Sequence, residues 1–548
     1  RILAVLAVAT LGAAIAVHAD ASLPLWPKPQ VVDDAATVFA LDAANFKFSS
    51  THDANGTLQR AFQRYEAIIR YPPLVPPAAA LRGGSVVSSI VSGAQITVHD
   101  PAVPLTLHVD ESYALTVASP MCMITANTVW GALRALETLA QLTFAVAEAD
   151  PGHNCPGCFV ARRGSGASSM AYIHGATIKD IPRFSHRGIM IDTARHFLPL
   201  PTILEMLDAM SYSKLSVLHW HLVDDQSFPF VSQRFPALSN KGAYNNVTHV
   251  YSPDDVQSVI SYAQDRGIRV VPEFDTPGHT SSWGPGVPGL LAQCYDSQGS
   301  PSGFGPIDPT NEANYEFLTS FFGEVASVFP DAYIHVGGDE VYFDCWQSNP
   351  SIQKWVAAHN MTNYAQLENY YEQRLLAIVN ATGRGYVVWQ EIFDNGLTVR
   401  PDTVIHVWKG NGWEQEMDAV TKAGKQAILS APWYLNYISY GEDWPTYYAV
   451  DPFQFNGTAA QEQLVVGGEA CAWAEFIDAT NIVSRMWPRA SAVAERLWSD
   501  KSVTDKTDAT ARLHDFRCRL LVRGINAEPP SGPSFCEEEF VTRYVPPQ

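Results

Sequence analysis

After Phe184 the chain alternates between short apolar runs and longer segments with helical patterning. This alternation is typical of β/α units that build a parallel sheet. Eight such runs can be identified, and eight strands are what a (β/α)8 barrel needs. The predicted strands span residues 188–192, 215–221, 268–272, 333–337, 386–389, 404–408, 426–429 and 464–468. We therefore predict an α/β fold class, with a (β/α)8 TIM barrel over residues 181–548.

A smaller α+β domain is predicted ahead of the barrel, over residues 20–180. Short runs at 95–99 and 113–117 alternate apolar and polar side chains, which indicates strands of an antiparallel sheet with one exposed face. Residues 128–144 place their apolar side chains at helical spacing, which predicts a helix. No cluster of catalytic residue types stands out in this region, so we assign it a supporting role.

The first residues resemble a secretory signal. An apolar stretch over residues 2–17 ends in the small-x-small sequence Val17-His18-Ala19. Cleavage after this sequence would make residues 1–19 a signal peptide. The alternative is a membrane anchor, but the stretch is short for a bilayer span of about 20 residues. No later segment is apolar over a long enough distance to span a membrane.

The charge balance limits the kind of partner that the chain can have. The formal net charge is −20 at pH 7, from 36 Lys and Arg against 56 Asp and Glu. Nucleic acids and anionic membranes bind to basic surfaces, so both are excluded as main partners. Neutral or cationic substrates fit this charge better. The 14 Trp and 22 Tyr of the chain supply many flat binding surfaces.

Eight cysteines behind a signal peptide are typical of disulfides rather than of metal ligands. Cys155 and Cys158 form a C-x-x-C pair, but no second pair or nearby His pair completes a zinc site, so a local bridge is favoured. Five glycosylation triplets agree with passage through the secretory pathway. They begin at Asn55, Asn246, Asn360, Asn380 and Asn456. The predicted location is extracellular, or a lysosome or vacuole.

One adjacent pair of carboxylates, Asp339 and Glu340, follows the apolar run that begins at Tyr333. Neighbouring side chains on a regular strand point to opposite faces, so both can serve one pocket only where the backbone leaves strand geometry. Gly337 and Gly338 permit that departure. The plain alternative is an acidic, solvated turn. Because barrel chemistry collects at the carboxyl ends of the strands, we predict a catalytic pair.

Other chemically active side chains follow the predicted strands at the same end. The residues at or just beyond the strand ends are Arg195, Asp224, Asp275, His279, Asp339, Glu340, Trp389, Trp408, Trp433, Tyr434, Trp473 and Glu475. Carboxylates with several indoles suit a sugar, because aromatic faces stack on a pyranose while charged groups hydrogen-bond its hydroxyls. Their convergence predicts a carbohydrate site.

Several ordered motifs carry a family resemblance. They are His186-Arg187-Gly188 with Asp192-Thr193-Ala194-Arg195-His196, His219-Trp220-His221-Leu222-Val223-Asp224-Asp225, Glu273-Phe274-Asp275-Thr276-Pro277-Gly278-His279, His335-Val336-Gly337-Gly338-Asp339-Glu340 and Ala431-Pro432-Trp433-Tyr434-Leu435-Asn436. They closely resemble the β-N-acetylhexosaminidases of glycoside hydrolase family 20, in order from about residue 23 to the C-terminus. The family has an N-terminal α+β domain before its barrel, so the resemblance implies the same arrangement here.

The resemblance implies exo-hydrolysis of terminal, non-reducing β-linked N-acetylhexosamine, with retention, in which the substrate supplies the nucleophile. The 2-acetamido oxygen attacks the anomeric carbon and gives an oxazolinium intermediate. Glu340 would protonate the leaving oxygen and then deprotonate water. Asp339 would orient the acetamido nitrogen and stabilise its developing positive charge. Tyr434 would hydrogen-bond the acetamido oxygen.

The same resemblance implies the residues that hold the sugar. The implied binding residues are Trp389, Trp408 and Trp473 as walls of the pocket, Arg195 and Glu475 as partners of ring hydroxyls, and Asn436. His279, backed by Asp224, would orient Glu340. No cofactor or metal is implied.

Two disulfide bridges, Cys294–Cys345 and Cys518–Cys536, are implied because both pairs resemble bridges in the family. The first would tie the loop after the third strand to the loop that carries the carboxylate pair. The second would fasten a C-terminal extension of the barrel. The cysteines whose pairing stays open are Cys122, Cys155, Cys158 and Cys471. Relatives in the family are often dimers, and no interface signature in the sequence decides for or against a homodimer.

Two other functions fit parts of the pattern. His219 and His221 lie on the same face of one predicted strand. Joined by Asp275 and His279, they would form the zinc site of a metal-dependent hydrolase. A sugar-binding barrel without catalysis would keep the Trp residues but need not keep the acid Glu340. The family motif accounts for the histidines without a metal, and the catalytic residue types are all present, so hydrolysis is preferred.

The charge of the substrate is predicted from Tyr437, which follows Asn436. In the family, one subunit type that handles sulfated or sialylated sugars carries Arg at this place. A phenol offers no positive charge, and the net charge of −20 repels anions. We therefore predict a preference for neutral terminal N-acetylhexosamine, with Lys409 as the alternative source of positive charge. The sequence leaves open the choice between gluco and galacto sugars and between chitin oligomers and glycans.

Overall fold

The computed structural model describes residues 23–53, 55–75, 85–146, 171–439 and 441–539. The predicted signal peptide, residues 1–19, and the pair Cys155 and Cys158 lie outside these ranges. No helix within the described ranges is long and apolar enough to cross a membrane.

The N-terminal region builds a nine-stranded sheet packed with helices. Its strands are β1 (Val31–Leu41), β2 (Lys47–Ser50), β3 (Leu74–Val75), β4 (Ser85–Val91), β5 (Gly93–Val98), β6 (Tyr113–Thr116), β7 (Met121–Ala126), β8 (Thr143–Val146) and β9 (Ala171–Asp180). Its described helices are α1 (Thr57–Arg70) and α2 (Val129–Gln141). The predicted helix therefore exists, and Thr128 caps it by accepting a hydrogen bond from Gly131 N at 3.2 Å.

The sheet is mixed, so the expectation of an antiparallel sheet is confirmed for β6, which is antiparallel to both of its neighbours, and wrong for β5. The strand order is β2-β5-β7-β6-β9-β1-β4, with β3 paired to β8 and β8 to β9. Strand β5 runs parallel to both β2 and β7, and β1 runs parallel to β4. Alternation of apolar and polar side chains reports which face of a strand is buried. It carries no information about the direction of the neighbouring strand.

Eight parallel strands close the predicted barrel, because the first of them pairs with the last. They are β10 (His186–Asp192), β11 (Val217–Val223), β12 (Arg269–Phe274), β15 (Tyr333–His335), β16 (Gly385–Trp389), β17 (Val404–Val407), β18 (Gln426–Leu429) and β19 (Val465–Ala472). A separate hairpin consists of β13 (Leu291–Tyr295) and β14 (Pro301–Ile307). Each predicted strand overlaps a real one, and the TIM-barrel prediction is confirmed.

Helices follow most of the barrel strands and cover the barrel from outside. They are α3 (Leu200–Tyr212), α4 (Ala237–Gly242), α5 (Pro253–Gln264), α6 (Glu312–Val328), α7 (Asp344–Ser348), α8 (Pro350–Ala358), α9 (Tyr364–Ala381), α10 (Glu391–Asp394), α11 (Trp413–Lys422), α12 (Trp444–Tyr448), α13 (Ala459–Glu462), α14 (Ile482–Met486), α15 (Arg489–Trp498) and α16 (Lys506–Val522). Helix α5 begins with a capping box between Ser252 and Asp255. This box and Pro253 explain why its start could be read from the sequence.

Buried ion pairs join the N-terminal region to the barrel. Glu111 binds Arg134 of α2 at 2.7 Å and Arg187 of β10 at 2.8 Å. Lys214, just before β11, binds Asp180 at the end of β9 at 3.0 Å. Burial of charged groups is unfavourable unless they are paired and hydrogen-bonded. These pairs therefore hold the two regions in a defined register at the amino-terminal end of the barrel.

The barrel interior is unusually polar. Barrels of this kind are mostly filled by branched apolar side chains. His186 and His219 lie 2.9 Å and 2.7 Å from the carboxylate of Glu469. His221 lies 2.6 Å from Glu273, which is fully buried. Burial alone would raise the pKa of Glu273, but the surrounding histidine charges outweigh it and hold that pKa well below its usual range.

The structure contains both implied disulfide bridges. Cys294 of β13 is bonded to Cys345 of α7, so the bridge joins the hairpin to the helix that follows the carboxylate pair. Cys518 of α16 is bonded to Cys536 near the C-terminus. The two cysteines with free thiols in the described residues, Cys122 and Cys471, are buried. The asparagines of the glycosylation triplets, Asn55, Asn246, Asn360, Asn380 and Asn456, are all exposed.

Candidate active site

The backbone leaves strand geometry directly before the carboxylate pair. Strand β15 ends at His335, and Gly337 and Gly338 adopt φ angles of +75° and +95°. A Cβ at Gly337 would lie 1.6 Å from Asp275 Oδ1, so no larger residue fits there. Glu340 itself has a φ of +50°, which is uncommon for a residue with a side chain. This turn brings Asp339 and Glu340 to one cavity.

A cavity of about 450 Å³ opens at the carboxyl ends of the barrel strands. Its lining residues are Arg195, His279, Asp339, Glu340, Trp408, Tyr434, Asn436, Tyr437, Ile438, Trp473, Glu475 and Phe476. Most of the residues expected at the site therefore meet in one place. Asp224 and Trp389 do not line the cavity and lie behind it, each fully buried.

His279 links the carboxylate pair to a buried acid. Its Nδ1 lies 3.3 Å from Asp224 Oδ1, and its Nε2 lies 3.8 Å from both Asp339 and Glu340. Burial lowers the pKa of His279, but the hydrogen bond to Asp224 and the charges of Asp224 and Asp339 outweigh burial and raise it to about 9. A protonated His279 therefore presents an N–H between the two carboxylates.

Asp224 is kept ionised by the groups around it. Burial alone would raise its pKa, but hydrogen bonds from His221 and His279 and the charge of Arg195 hold that pKa well below its usual range. Arg195 binds Asp224 at 2.8 Å and Asp192 at 3.1 Å. These contacts fix the guanidinium at the cavity wall, where it can donate to a ligand hydroxyl.

Aromatic rings form one side of the cavity. Trp408 and Tyr434 lie nearly parallel, at 11° and 6.3 Å between ring centroids, and Trp473 carries the guanidinium of Arg195 on its face at 4.8 Å. Glu391 accepts a hydrogen bond from Trp408 Nε1 at 2.9 Å, which fixes that indole. Burial raises the pKa of Tyr434 well above its usual value, so its hydroxyl keeps its proton.

Trp389 lies beneath this wall rather than on the surface of the cavity. Its indole N–H donates to Glu273 Oε1 at 2.8 Å, which draws the ring into the polar barrel interior. Its ring centroid lies 6.4 Å from that of Trp408 and 6.0 Å from that of Trp473. Trp389 was expected as a wall of the pocket, but it is fully buried behind Trp408 and Trp473 and does not line the cavity. The sequence could not reveal its bond to Glu273.

Two apolar residues at the mouth of the cavity were not anticipated from the sequence. Ile438 and Phe476 line it and are 80% and 76% exposed. Ile438 directly follows Tyr437, and Phe476 directly follows Glu475; both preceding residues were anticipated. A large apolar residue next to an anticipated site residue was the available sequence signal. The other neighbour at the mouth, Asn436, has a buried Oδ1 with no partner in the described residues.

The predicted alternative of a zinc site does not fit the arrangement of its four ligands. Both ring nitrogens of His221 face carboxylates, Glu273 at 2.6 Å and Asp224 at 2.9 Å. His219 lies between Glu469 and Glu273, at 2.7 Å and 2.9 Å. The two imidazoles therefore neutralise buried carboxylates in the barrel interior. His221 has no free ring nitrogen, and His219, whose Nε2 has no hydrogen-bond partner in the described residues, groups with His335 and His406 rather than with Asp275 and His279.

A further buried acid, Glu372 of α9, lies behind the catalytic turn. A Cβ at Gly338 would stand 3.7 Å from Glu372 Oε1. The residue is fully buried, and neither carboxyl oxygen has a hydrogen-bond partner in the described part of the chain. Burial and the charge of Glu368 raise the pKa of Glu372 well above its usual value. It is therefore uncharged near neutral pH.

We expect Glu372→Leu to increase the free energy of unfolding near neutral pH by roughly 1–3 kcal/mol, the cost of burying an unpaired polar group. Above about pH 4.3 the unfolded state ionises while the folded state does not. The wild-type protein therefore has its full stability below this pH and loses part of it as the pH rises. The gain from Glu372→Leu grows accordingly. Urea unfolding at acidic and neutral pH measures this. Glu372→Gln is the control, because it also removes the titrating group but keeps an unpaired buried polar group: its gain should grow with pH by the same amount and be smaller than that of Glu372→Leu at every pH. A pH-independent gain for Glu372→Leu would contradict the titration.

The chain matches known proteins over both of its parts. The catalytic domain of glycosyl hydrolase family 20 matches residues 184–501, and a beta-acetyl hexosaminidase like domain matches residues 25–142. The chain is 47% identical over 539 residues to the beta-hexosaminidase subunit alpha of Rattus norvegicus, which covers 97% of each chain. It is 46% identical over 534 residues to the beta-hexosaminidase subunit beta of Homo sapiens, covering 96% of this chain and 92% of that one.

The likeness extends to solved structures. The chitobiase of Flavobacterium johnsoniae superposes with a TM-score of 0.76 at 29% sequence identity, covering 92% of this chain and 73% of that chain. The sequence relatives and this solved structure match the chain over both the N-terminal region and the barrel. The chain therefore belongs to glycosyl hydrolase family 20, and the prediction of a glycoside hydrolase of the β-N-acetylhexosaminidase type is confirmed.

Proposed function

We propose that the protein removes terminal, non-reducing β-linked N-acetylhexosamine from oligosaccharides, chitooligomers or glycoconjugates, with retention and through an oxazolinium intermediate. The observation that carries the proposal is the turn that directs both Asp339 and Glu340 into one cavity together with Tyr434. An acid, a charge-stabilising carboxylate and a phenol are the three groups that a substrate-assisted reaction requires.

In the first step, the substrate's acetamido oxygen forms a bond to the anomeric carbon while the bond to the leaving oxygen breaks. Glu340 gives its proton to that oxygen, and the alcohol departs. The ring that forms carries a positive charge, which the Asp339 carboxylate stabilises at the acetamido nitrogen. Tyr434 donates its hydroxyl proton in a hydrogen bond to the acetamido oxygen and aligns it for attack.

In the second step, Glu340 takes a proton from water as the water oxygen bonds to the anomeric carbon and the ring opens. Two inversions at one carbon give net retention. His279, which lies 3.8 Å from Glu340 and is backed by Asp224, orients the acid between the two steps. Arg195 and Glu475 hold ring hydroxyls by charge-assisted hydrogen bonds.

The aromatic residues account for selection of a terminal sugar. Trp408 and Trp473 offer faces on which a pyranose can stack, and Trp389 lies fully buried behind them. We infer that a cavity walled in this way takes the end of a saccharide rather than a chain that continues past it. Asn436 supplies a polar contact at the open side.

A panel of nitrophenyl glycosides with and without the 2-acetamido group tests the proposed function. We expect hydrolysis of the acetamido sugars alone, and proton NMR should detect the β-anomer as the first product. Hydrolysis of a 2-hydroxy glycoside at a similar rate would contradict substrate assistance. Binding without turnover would indicate a sugar-binding protein, and loss of activity with a chelator would support the metal-dependent alternative.

The substrate range is proposed to favour neutral sugars. Tyr437 lines the cavity without a charge. Lys409, the alternative cation, binds Glu391 at 3.2 Å and Asp394 at 3.3 Å and does not line the cavity. The positive charge of Lys409 is therefore paired with two carboxylates.

We expect kcat/KM to be higher for a neutral methylumbelliferyl N-acetylhexosaminide than for its 6-sulfated form at matched ionic strength. Tyr437→Arg should shift the ratio toward the sulfated substrate, because it places a cation at the cavity wall. Tyr342→Arg is the matched control, since Tyr342 is also exposed but lies outside the cavity lining. A wild-type ratio near one, or an equal shift in both variants, would contradict the role of Tyr437.

We further propose that the chain enters the secretory pathway through the signal peptide over residues 1–19 and acts outside the cell or in a lysosome or vacuole. The disulfides and the exposed acceptor asparagines support this.

The proposed domain division places the supporting domain at residues 20–180 and the catalytic barrel with its extension at 181–548. A homodimer is compatible with the family, and the molar mass in solution tests it.

A further inference from the structure

Asp275 is a buried carboxyl group at the carboxyl end of β12, beside the catalytic pair. The residue is 1% exposed, against 7% for Asp339. Carboxyl oxygens of Asp275 and Asp339 lie within 4.8 Å of one another. Two ionised carboxylates this close in a buried site repel each other, which favours a proton on one of them. One of the two therefore carries a proton.

The neighbouring contacts need a group that both accepts and donates. Asp275 Oδ1 accepts a hydrogen bond from Gly338 N at 3.0 Å. Asp339 Oδ1 is buried and has no hydrogen-bond partner among the described residues. A protonated carboxyl group can accept through one oxygen and donate through its O–H at the same time. With one proton, the Asp275 carboxyl group accepts from the backbone of the turn and donates to the buried oxygen of Asp339.

The surroundings decide which residue holds this proton. The titratable groups that face Asp275 are Asp339, Glu273, Asp224, His279 and Tyr371. Burial, and the charges of the three carboxylates among them, raise the pKa of Asp275 well above its usual range. Asp339 instead opens to the cavity and faces His279 at 3.8 Å. The negative charge therefore resides on Asp339 and the proton on Asp275.

We propose that Asp275 is a positioning residue that stays protonated and donates its O–H to the Asp339 carboxylate. The inference rests on the proposed function, in which Asp339 stabilises the positive charge on the acetamido nitrogen. The donated bond holds the Asp339 side chain in one orientation, and the bond from Gly338 ties the donor to the same turn. Because the donor is neutral, it orients Asp339 without cancelling the charge that the transition state needs.

Asp275→Asn tests the proposal, because an amide reproduces a protonated carboxyl group. Its oxygen can accept from Gly338, and its NH2 group can donate to Asp339. We expect kcat within about threefold of wild type, since both hydrogen bonds survive. Asp275→Leu can make neither bond, and we expect it to lose roughly 10- to 100-fold in kcat, the effect of one hydrogen bond to a charged group.

The pH dependence separates positioning from general damage. In Asp275→Leu the acidic limb of the kcat/KM profile should move to higher pH, because a carboxylate that loses a donor binds a proton more readily. In Asp275→Asn the limb should stay in place. A variant with only a damaged fold would lose activity without moving the limb. If Asp275→Leu does not fold, the comparison of Asp275→Asn with wild type still decides.

Asp339→Asn, measured in the same assay, keeps this inference apart from the proposed function. If Asp339→Asn retains wild-type activity, the proposed function is wrong and the inference falls with it. If Asp339→Asn is inactive and a folded Asp275→Asn is as poor as Asp275→Leu, a negative charge is needed at Asp275 and the inference alone is overturned. Adding Asp275→Leu to Asp339→Asn should cost less than about twofold, because the partner of the donated bond is already changed.

Discussion

Glu340→Gln is expected to lower kcat/KM roughly 10²- to 10⁴-fold on an N-acetylhexosamine oligosaccharide, the usual contribution of a general acid. The loss should be smaller on an aryl glycoside with an acidic phenol, because a good leaving oxygen departs without a proton. The Glu340 side chain lines the cavity and is 44% exposed, so it can reach the leaving oxygen. The measurement is log kcat/KM against the pKa of the leaving group over a series of aryl glycosides, whose slope should become steeper in the variant.

Glu475→Gln is the matched control for this experiment, since it makes the same chemical change at another carboxylate of the same cavity. A residue that holds a sugar hydroxyl contributes to every substrate of the series equally. We therefore expect lower kcat/KM with an unchanged slope. An equal loss across the series in Glu340→Gln would mean that Glu340 is not the acid.

The barrel could be predicted because its strands are buried on both faces and read as short apolar runs between helical segments. The start of α5 could be predicted for a local reason, since Ser252 and Asp255 form a capping box within one turn. The direction of the strands in the N-terminal sheet could not, because it depends on pairing between distant segments. Strands β5 and β2 are one such pair.

At the site, the sequence identified the residues that touch the cavity better than those that support them. Asp339 and Glu340 were marked by the glycine pair that turns them inward. Asp275 was visible only as one more acid at a strand end, because its meaning lies in the contacts with Gly338 and Asp339. Trp389 was placed too near the surface for the same reason, since its bond to Glu273 spans 116 residues of sequence.

Asp339→Asn is expected to lower kcat roughly 10²- to 10³-fold, the scale seen when one group aimed at developing charge is removed. KM should change little, because the amide keeps the shape of the side chain and its capacity to accept a hydrogen bond from the acetamido nitrogen. What the substitution removes is the negative charge, and the substrate becomes positively charged only as the ring closes. Steady-state kinetics with an aryl N-acetylhexosaminide separates kcat from KM.

Asp225→Asn is the control that isolates the position of the charge. Asp225 lies in the same rim, where its carboxylate accepts a hydrogen bond from Ser281 N at 2.8 Å, but it does not line the cavity. Loss of one unit of negative charge from the rim should therefore leave kcat within about twofold, since exposed charges are screened by solvent. A change confined to KM in Asp339→Asn would mean that Asp339 binds the ground state, because charge stabilisation that arises only in the transition state must be seen in kcat.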